Sequence, residues 1–490
     1  MPAARRIYLL SPRAHDPETI AVAFAKTSRS PKSFDEIAAE LSTAASAEFH
    51  EKWVVGYGHA SVAEHAVLHI ALENVSRLAI ECIESNRLAS YTEKSTRYQT
   101  WAQDGYHVPA EFTSGAAGKL YAATCDKLFS AYEQVLPPLR LAIEKQHPRR
   151  NEESSARYEA RIRSMYVDVA RYLLPASALA NVGMTANARV FEGAIRKLLS
   201  HPLTEVQEIG EEVKAVALRE TPTLVKYASP SPYMIDTRAD LEQRARTLAS
   251  PAPPADWLTL TDYEQGAEDK VLAASLYAFG GMPFAQALEI VKQASPAQRA
   301  EMAKAALGRM DRFDNPLREL EYATYAFDCI IDQGAYFEIK RHRLMTQTPQ
   351  ALTTQLGFAT PRLLTDANVL QIYNNAMTAA ATCYNTLASD HPHAAAYVVP
   401  NGFNRRFMMV LNLRQAFHLC ELRSAPNAHF AVRRMAGRMH ELISAVHPLL
   451  AGFMRWSDRP AWQSIESDYF TSIAQTQTVP TPKASRHPGT

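Results

Sequence analysis

Four adjacent residues carry the densest run of potential chemistry in the chain. Lys340, Arg341, His342 and Arg343 stand side by side in "FEIKRHRLMTQ", shortly after the apolar stretch "YAFDCII". Like charges in a row repel, so the run needs a counter-anion or a solvated face. A second candidate is "YTEKSTRY", where Glu93, Ser95 and Arg97 fall in one short polar segment. Hydroxyls, free backbone N–H groups and an arginine together suit a phosphate. A capped turn with a surface ion pair fits the same residues. A third candidate is "GHASVAEHAVLHI", holding His59, Ser61, Glu64, His65 and His69. His65 and His69 are four apart and could share a helical face, but no third ligand sits at a metal-binding spacing, so no metal is expected. Arg414 and Arg423 are nine apart. On a helix that places them half a turn apart, facing different sides.

These residues need elements to hold them. The chain has 490 residues, too many for one ordinary core, and two domains are expected. "GAAGKLYAATCDKLFSAYEQVLPPLRLAIEK" reads as an amphipathic helix. Further helical patterns fall near 155–173, 187–200 and 204–219, and again at 267–278, 284–294, 297–309, 318–332, 367–388, 404–422 and 428–449. "HASVAEHAVLHIALENVSRLAIECIE" mixes helical and strand-like spacing. The proline-rich "ASPAPPAD" marks a linker within 237–256, between a first domain at 1–236 and a second at 257–470. The polar tail, 471–490, is expected to be disordered.

An internal repeat organises the whole chain. "ESNRLASYTEKSTRY" and "ARYLLPASALANVGMTANARVFEGAI" in the first half answer to "IKRHRLMTQTPQALTT" and "AAYVVPNGFNRRFMMVLNLRQAFHLCELR" in the second. Pro175 leads after twelve residues to Asn187 and then Arg189; Pro400 leads after twelve to Asn412 and then Arg414. Two diverged copies of one domain follow, the first with an insertion near 107–155.

Bulk composition excludes several classes. With 52 basic and 51 acidic residues the net charge is +1, so no global field exists to hold nucleic acid. No stretch is long and apolar enough for a membrane span, and the opening "MPAARRIYLLSPRAHD" does not read as a signal peptide. The five scattered cysteines, with no CxxC, suit a reduced cytoplasm.

"HASVAEHAVLHIALENVSRLAIECIESNRLASYTEKSTRY" resembles the flavin-dependent thymidylate synthases, whose signature runs Arg-His-Arg, two residues, Ser, four residues, Ser, one residue, Arg. The preceding His-x-Ser-x-x-Glu-His and the later Ala-Arg-x-x-Leu-Pro and Asn-x-Arg match as well. The resemblance implies an α/β (α+β) fold of two tandem domains, each a helix-flanked sheet with long helices. It implies FAD as cofactor, and dUMP, methylenetetrahydrofolate and NADPH as co-reactants in making dTMP. It also implies sites shared between subunits, met here by a homodimer acting as a pseudo-tetramer.

Each half departs from the signature where the other keeps it. The first half has Ser85-Asn86-Arg87 in place of Arg-His-Arg, and Leu198 in place of a late arginine, but keeps Ser90, Glu93, Ser95, Arg97 and Arg171. The second keeps Arg341-His342-Arg343, Thr346, Asn412, Arg414 and Arg423, with Glu338 three residues upstream. It has Ala351, Thr353 and Ala396 where the first half has Ser95, Arg97 and Arg171. The resemblance thus implies one composite site. Glu93, Ser95, Arg97, Arg171, Glu338, Arg341 and Arg423 would face dUMP, with Arg423 and Ser95 catalytic. His59, Ser61, Glu64, Arg341, His342, Arg343, Asn412 and Arg414 would face FAD. The reciprocal site would be stripped and structural. Two alternatives stay open: modification of another pyrimidine nucleotide at C5, and a non-catalytic flavin- or nucleotide-binding relative.

Overall fold

A computed structural model describes residues 8, 10–27, 30–41, 46, 48–51, 60–97, 99–101, 105–248, 256–456 and 459–473. His59, most of the proline-rich linker and the tail beyond 473 lie outside them.

The two halves build the same unit. In the first, β1 (Val67–Ser76) alternates buried and exposed residues, sending Leu68, Ile70 and Leu72 inward. The Ser76 hydroxyl then accepts from the Ala79 N–H and starts the helix Arg77–Ile83. A short β2 (Ser90–Glu93) follows, and β3 (Leu179–Asn187) pairs antiparallel with both, giving the order β1-β3-β2. In the second half, β4 (Leu258–Tyr263) is added outside β5 (Thr324–Asp332). β6 (Thr346–Pro349) and β8 (Asn404–Asn412) complete the order β4-β5-β8-β6. Between them in sequence, β7 (Thr360–Pro361) pairs with β9 (Phe470–Ser472). Asn187 and Asn412 play one role in the two copies. Each side-chain oxygen accepts a backbone N–H, from Val190 at 3.0 Å or Gln415 at 2.8 Å, and starts the helix Ala188–Leu199 or Leu413–Arg423.

Two helical expectations are corrected. Residues 318–332 form a 3-10 turn, Arg318–Tyr322, followed by β5, and 404–412 form β8 before the helix begins. β5 lies between two strands and buries seven of its nine residues, so its sequence is a nearly unbroken apolar run that carries no strand alternation. The long helix is present as Gly115–Gln146 and packs against the helix Leu370–Leu387 of the other half. A second helix, Ser155–Ala170, leads into the turn Arg171–Leu173. The helix Pro232–Leu248 enters the stretch read as linker.

The halves meet about a pseudo-twofold axis at the matching prolines. Pro175 bridges Pro400 directly. Around it, Ala176 N–H donates to the Val399 carbonyl (2.9 Å) and Asn401 N–H to Leu174 (3.0 Å); Ser177 donates to Tyr397 (2.8 Å) and Gly402 to Tyr172 (2.9 Å). Each bond has its symmetry mate in the other copy. Gly402 is required by proximity: a Cβ there would lie 2.6 Å from the Tyr373 hydroxyl and 2.9 Å from Met377. One continuous buried apolar core spans both halves.

Candidate functional site

The fold brings the retained residues of the two halves together within one chain. β2 ends at Glu93, and the turn after it presents Ser95, Thr96 and Arg97. The Ser95 hydroxyl accepts from the Arg97 N–H at 3.2 Å, fixing the turn. Arg171 closes the helix Ser155–Ala170 and is almost fully buried. From the second half, the helix Gln333–Ile339 delivers Glu338, and Arg423 is the last residue of the helix Leu413–Arg423.

Glu338 is the hub. Its Oε1 lies 3.1 Å from Arg171 Nη2 and 4.0 Å from Arg97 Nε, and its Oε2 lies 3.3 Å from Arg423 Nη1. Arg423 also donates to the Glu338 backbone carbonyl at 2.9 Å. Arg97 forms a two-pronged pair with Asp168, both bonds 2.7 Å, and donates to the Asn427 carbonyl at 3.1 Å. Arg171 donates to Thr96 Oγ1 at 3.2 Å, while its Nε is buried with no hydrogen-bond partner. Burial pushes the Asp168 carboxyl above its ordinary range, and Arg171 and Arg97 pull it back only partly.

The four crowded residues do not converge on one anion; each has its own partner. The Lys340 ammonium donates to the Glu81 carbonyl and lies 3.8 Å from Glu84. Arg341 pairs with Glu93 at 2.7 Å. Arg343 donates to the Arg87 carbonyl at 2.9 Å. His342 accepts, through Nε2, a 2.8 Å bond from Arg423 Nε, so the ring proton sits on Nδ1. Burial, with the charge of Arg423 and the neighbouring His418, lowers His342 to about 3, leaving it neutral. Burial would raise Glu93, but Arg77 and Arg341 hold it below its ordinary value. This separation of partners explains how the run sits beside an apolar strand without mutual repulsion.

Arg341, His342, Arg343, Arg414 and Arg423 line one cleft of about 480 Å³, joined by Arg87 from the first half. The half-turn offset of Arg414 and Arg423 does not separate them, because both are long side chains and Arg423 sits at the helix end. Arg414 is held by the Pro316 carbonyl (2.8 Å) and Glu321 (2.9 Å). Gln415 also lines the cleft, with its Oε1 buried and unpartnered. Not every expected residue joins. The Asn412 side chain is spent on its helix cap. Glu64, exposed beside Ser61, pairs with Arg189, and neither lines the cleft. His59 lies outside the described residues. His65 and His69 share no helical face: His65 ends a 3-10 turn and stacks on Phe24, and His69, on β1, contacts Thr185 at 2.9 Å. No group of three or more His, Cys, Asp or Glu able to hold a metal occurs among the described residues.

Sequence reasoning missed Asp168, Thr96, Arg87 and Gln415. Asp168 carried a signal: it precedes Arg171 by three in a helical pattern, which puts both on one face. Thr96 lies inside the polar loop between two residues that were chosen.

The family model described as thymidylate synthase complementing protein matches the chain twice, over residues 9–223 and 259–449. A UPF0159 protein of Chlamydia muridarum is 32% identical over 437 residues, covering 86% of this chain and 82% of its own length. A flavin-dependent thymidylate synthase of Clostridium tetani is 26% identical over 218 residues, 44% of this chain and 84% of the relative. Another, from Sulfolobus acidocaldarius, is 29% identical over 220 residues, again 44% of this chain and 74% of the relative. The full-length relative thus spans both copies, whereas each of these two synthases aligns with less than half of this chain.

Proposed function

The chain belongs to the thymidylate synthase complementing protein family, related to the flavin-dependent thymidylate synthases, and from that premise we propose that it makes dTMP from dUMP. Methylenetetrahydrofolate would supply the carbon and NADPH the reducing equivalents. The observation that carries this reading is the meeting of Arg97 and Arg171 from one copy with Arg423 and Arg341 from the other, around Glu338 and Glu93.

The roles follow from charge and position. Arg97 and Arg171 would bind the nucleotide phosphate, each charged hydrogen bond contributing about 1.5–3 kcal/mol, with the Ser95 hydroxyl beside them. Arg423 would donate to a uracil carbonyl and stabilise the enolate-like charge that develops as C5 becomes nucleophilic. Neutral His342 orients the Arg423 guanidinium by accepting from its Nε. FAD fits the arginine-lined cleft by charge: Arg343, Arg341 and Arg414 suit a pyrophosphate, and Gln415 offers a free acceptor. When bound, the flavin would supply the hydride that completes the methyl group. Ser61 and Glu64 would reach a flavin only from a second copy of the chain, in keeping with a homodimer that reproduces four family domains.

The test is direct. Purified protein supplied with FAD, dUMP, methylenetetrahydrofolate and NADPH should form dTMP. Binding of flavin and dUMP without dTMP would favour another C5 modification. Failure to take up FAD would favour a non-catalytic relative.

A further inference from the structure

We infer that Glu338 is a resident anion in the phosphate subsite, which a nucleotide 5′-phosphate must displace. This inference rests on the reading of the site as a pyrimidine nucleotide site, and it concerns which form of the substrate that site favours.

Three guanidinium groups form the subsite, and two carboxylates already occupy it. Arg97 is closed in a two-pronged pair with Asp168. Arg171 and Arg423 both turn to Glu338. One positive charge is left over, while a phosphate monoester carries about −1.5 to −2. A phosphate placed among the arginines beside an ionised Glu338 meets a like charge at contact distance in a largely buried setting, which opposes binding.

The Glu338 fit is also incomplete. Arg171 Nε is buried with no hydrogen bond, its nearest carboxylate being Asp168 at 3.6 Å, and Arg171 Nη2 and Arg423 Nη1 stand 3.1 and 3.3 Å from the Glu338 carboxylate, long for charge-assisted bonds. A phosphate has more acceptor oxygens than a carboxylate and could satisfy the Arg171 fork, leaving Arg423 to the uracil carbonyl. Glu338 therefore acts as an internal competitor: it keeps the arginines paired when the subsite is empty and weakens phosphate binding. A glutamine there would keep the shape and remove the charge. The effect should fall mainly on the phosphate, since the uracil carbonyl that a nucleoside offers Arg423 is neutral and meets no repulsion from the Glu338 carboxylate.

The experiment is titration calorimetry of the full chain with dUMP and, separately, with 2′-deoxyuridine. Glu338→Gln should bind dUMP at least about tenfold tighter than wild type, the scale of one like-charge contact removed from a half-screened site. 2′-Deoxyuridine binding should change less than about twofold, because it lacks the group that meets this charge. If wild type binds dUMP and Glu338→Gln binds it no better, the inference fails and the nucleotide reading stands. If neither binds dUMP, both fall. Should Glu338→Gln not fold, Glu338→Asp keeps the charge but shortens its reach. It should tighten dUMP by about threefold, since the like-charge term weakens with distance, and unchanged or weaker binding overturns the inference.

Discussion

The molecule contains the same region twice, and the two versions have moved in opposite directions. The register between copies is 256 positions in the loop segment and 225 on either side of the matching prolines. On that register Glu338 answers to Cys82, Arg423 to Leu198 and Arg171 to Ala396. Arg341 answers to Ser85, His342 to Asn86, Glu93 to Pro349, Arg97 to Thr353 and Asp168 to His393. Every ion pair of the composite site therefore has a counterpart that cannot form one. Leu198 is core, and His393 turns outward to Glu242. The reciprocal region is charged, but its charges serve a different purpose. Arg405 donates to both oxygens of Glu81 at 2.7 Å, Gln333 adds a 3.0 Å bond, and Lys340 reaches the Glu81 carbonyl. Those contacts tie the second half to the first. The difference teaches that one of two repeated regions can become an interlock while the other keeps a cluster of arginines.

The largest test of this contrast is turnover. Arg97→Ala and Arg423→Ala, one from each half, should each lower kcat/KM by at least about a thousandfold, since each removes a charged contact to phosphate or to developing charge. Loss in only one of them would break the composite reading. Next in size is stability. Glu81→Ala leaves Arg405 buried without its carboxylate partner, while Lys340 keeps the residue-81 backbone carbonyl and Glu84, and should cost about 3–5 kcal/mol in urea unfolding. The folded fraction should keep wild-type turnover within about fivefold, because Glu81 belongs to the interlock and lies apart from the reacting groups. A large loss of turnover at full stability would erase the distinction between the regions.

Much of this contrast was legible in the sequence, for a physical reason. Charged residues that cluster across the two copies sit at fixed offsets from turns and caps, so spacing and resemblance single out Arg97, Arg171, Arg341 and Arg423. The Pro175 and Pro400 register likewise pointed to the repeat that the sheets display. Partners across the pseudo-twofold axis were not legible. Nothing in "RHR" says that His342 turns to Arg423 while Arg343 turns to the backbone of Arg87. The resemblance places Asn412 at the ligand, but its side chain caps a helix, as that of Asn187 does in the other copy. The type of β5 was lost because a strand buried on both faces has no alternation to read.

His342 gives a smaller effect and a pH signature. Its folded value near 3 lies below the ordinary 6.5, so below pH 6.5 the unfolded chain takes up a proton that the folded chain refuses. Its stabilising contribution is therefore fully present above pH 6.5 and is lost progressively as pH falls toward 3. At pH 5, relative to pH 7, wild type should lose about 2 kcal/mol more in urea unfolding than His342→Gln. Equal pH dependence in the two would show that the imidazole is not held neutral against Arg423. Asn86, its counterpart, takes up no proton in this range and should show no such slope on substitution.

The smallest expected effect is at Ser85, the counterpart of Arg341. Its hydroxyl accepts from Lys197 at 2.7 Å and donates to the Cys82 carbonyl, and burial lowers Lys197 to about 8. If the reciprocal region is only an interlock, Ser85→Ala removes two exposed hydrogen bonds. It should change stability by no more than about 0.5–1 kcal/mol and turnover by less than twofold. The same measurement on Arg341→Ala should lower turnover strongly, because it removes a cation beside the proposed nucleotide and leaves Glu93 to Arg77 alone. A Ser85→Ala variant that loses turnover as Arg341→Ala does would mean that both regions still do chemistry, and that the asymmetry lies in what each one binds.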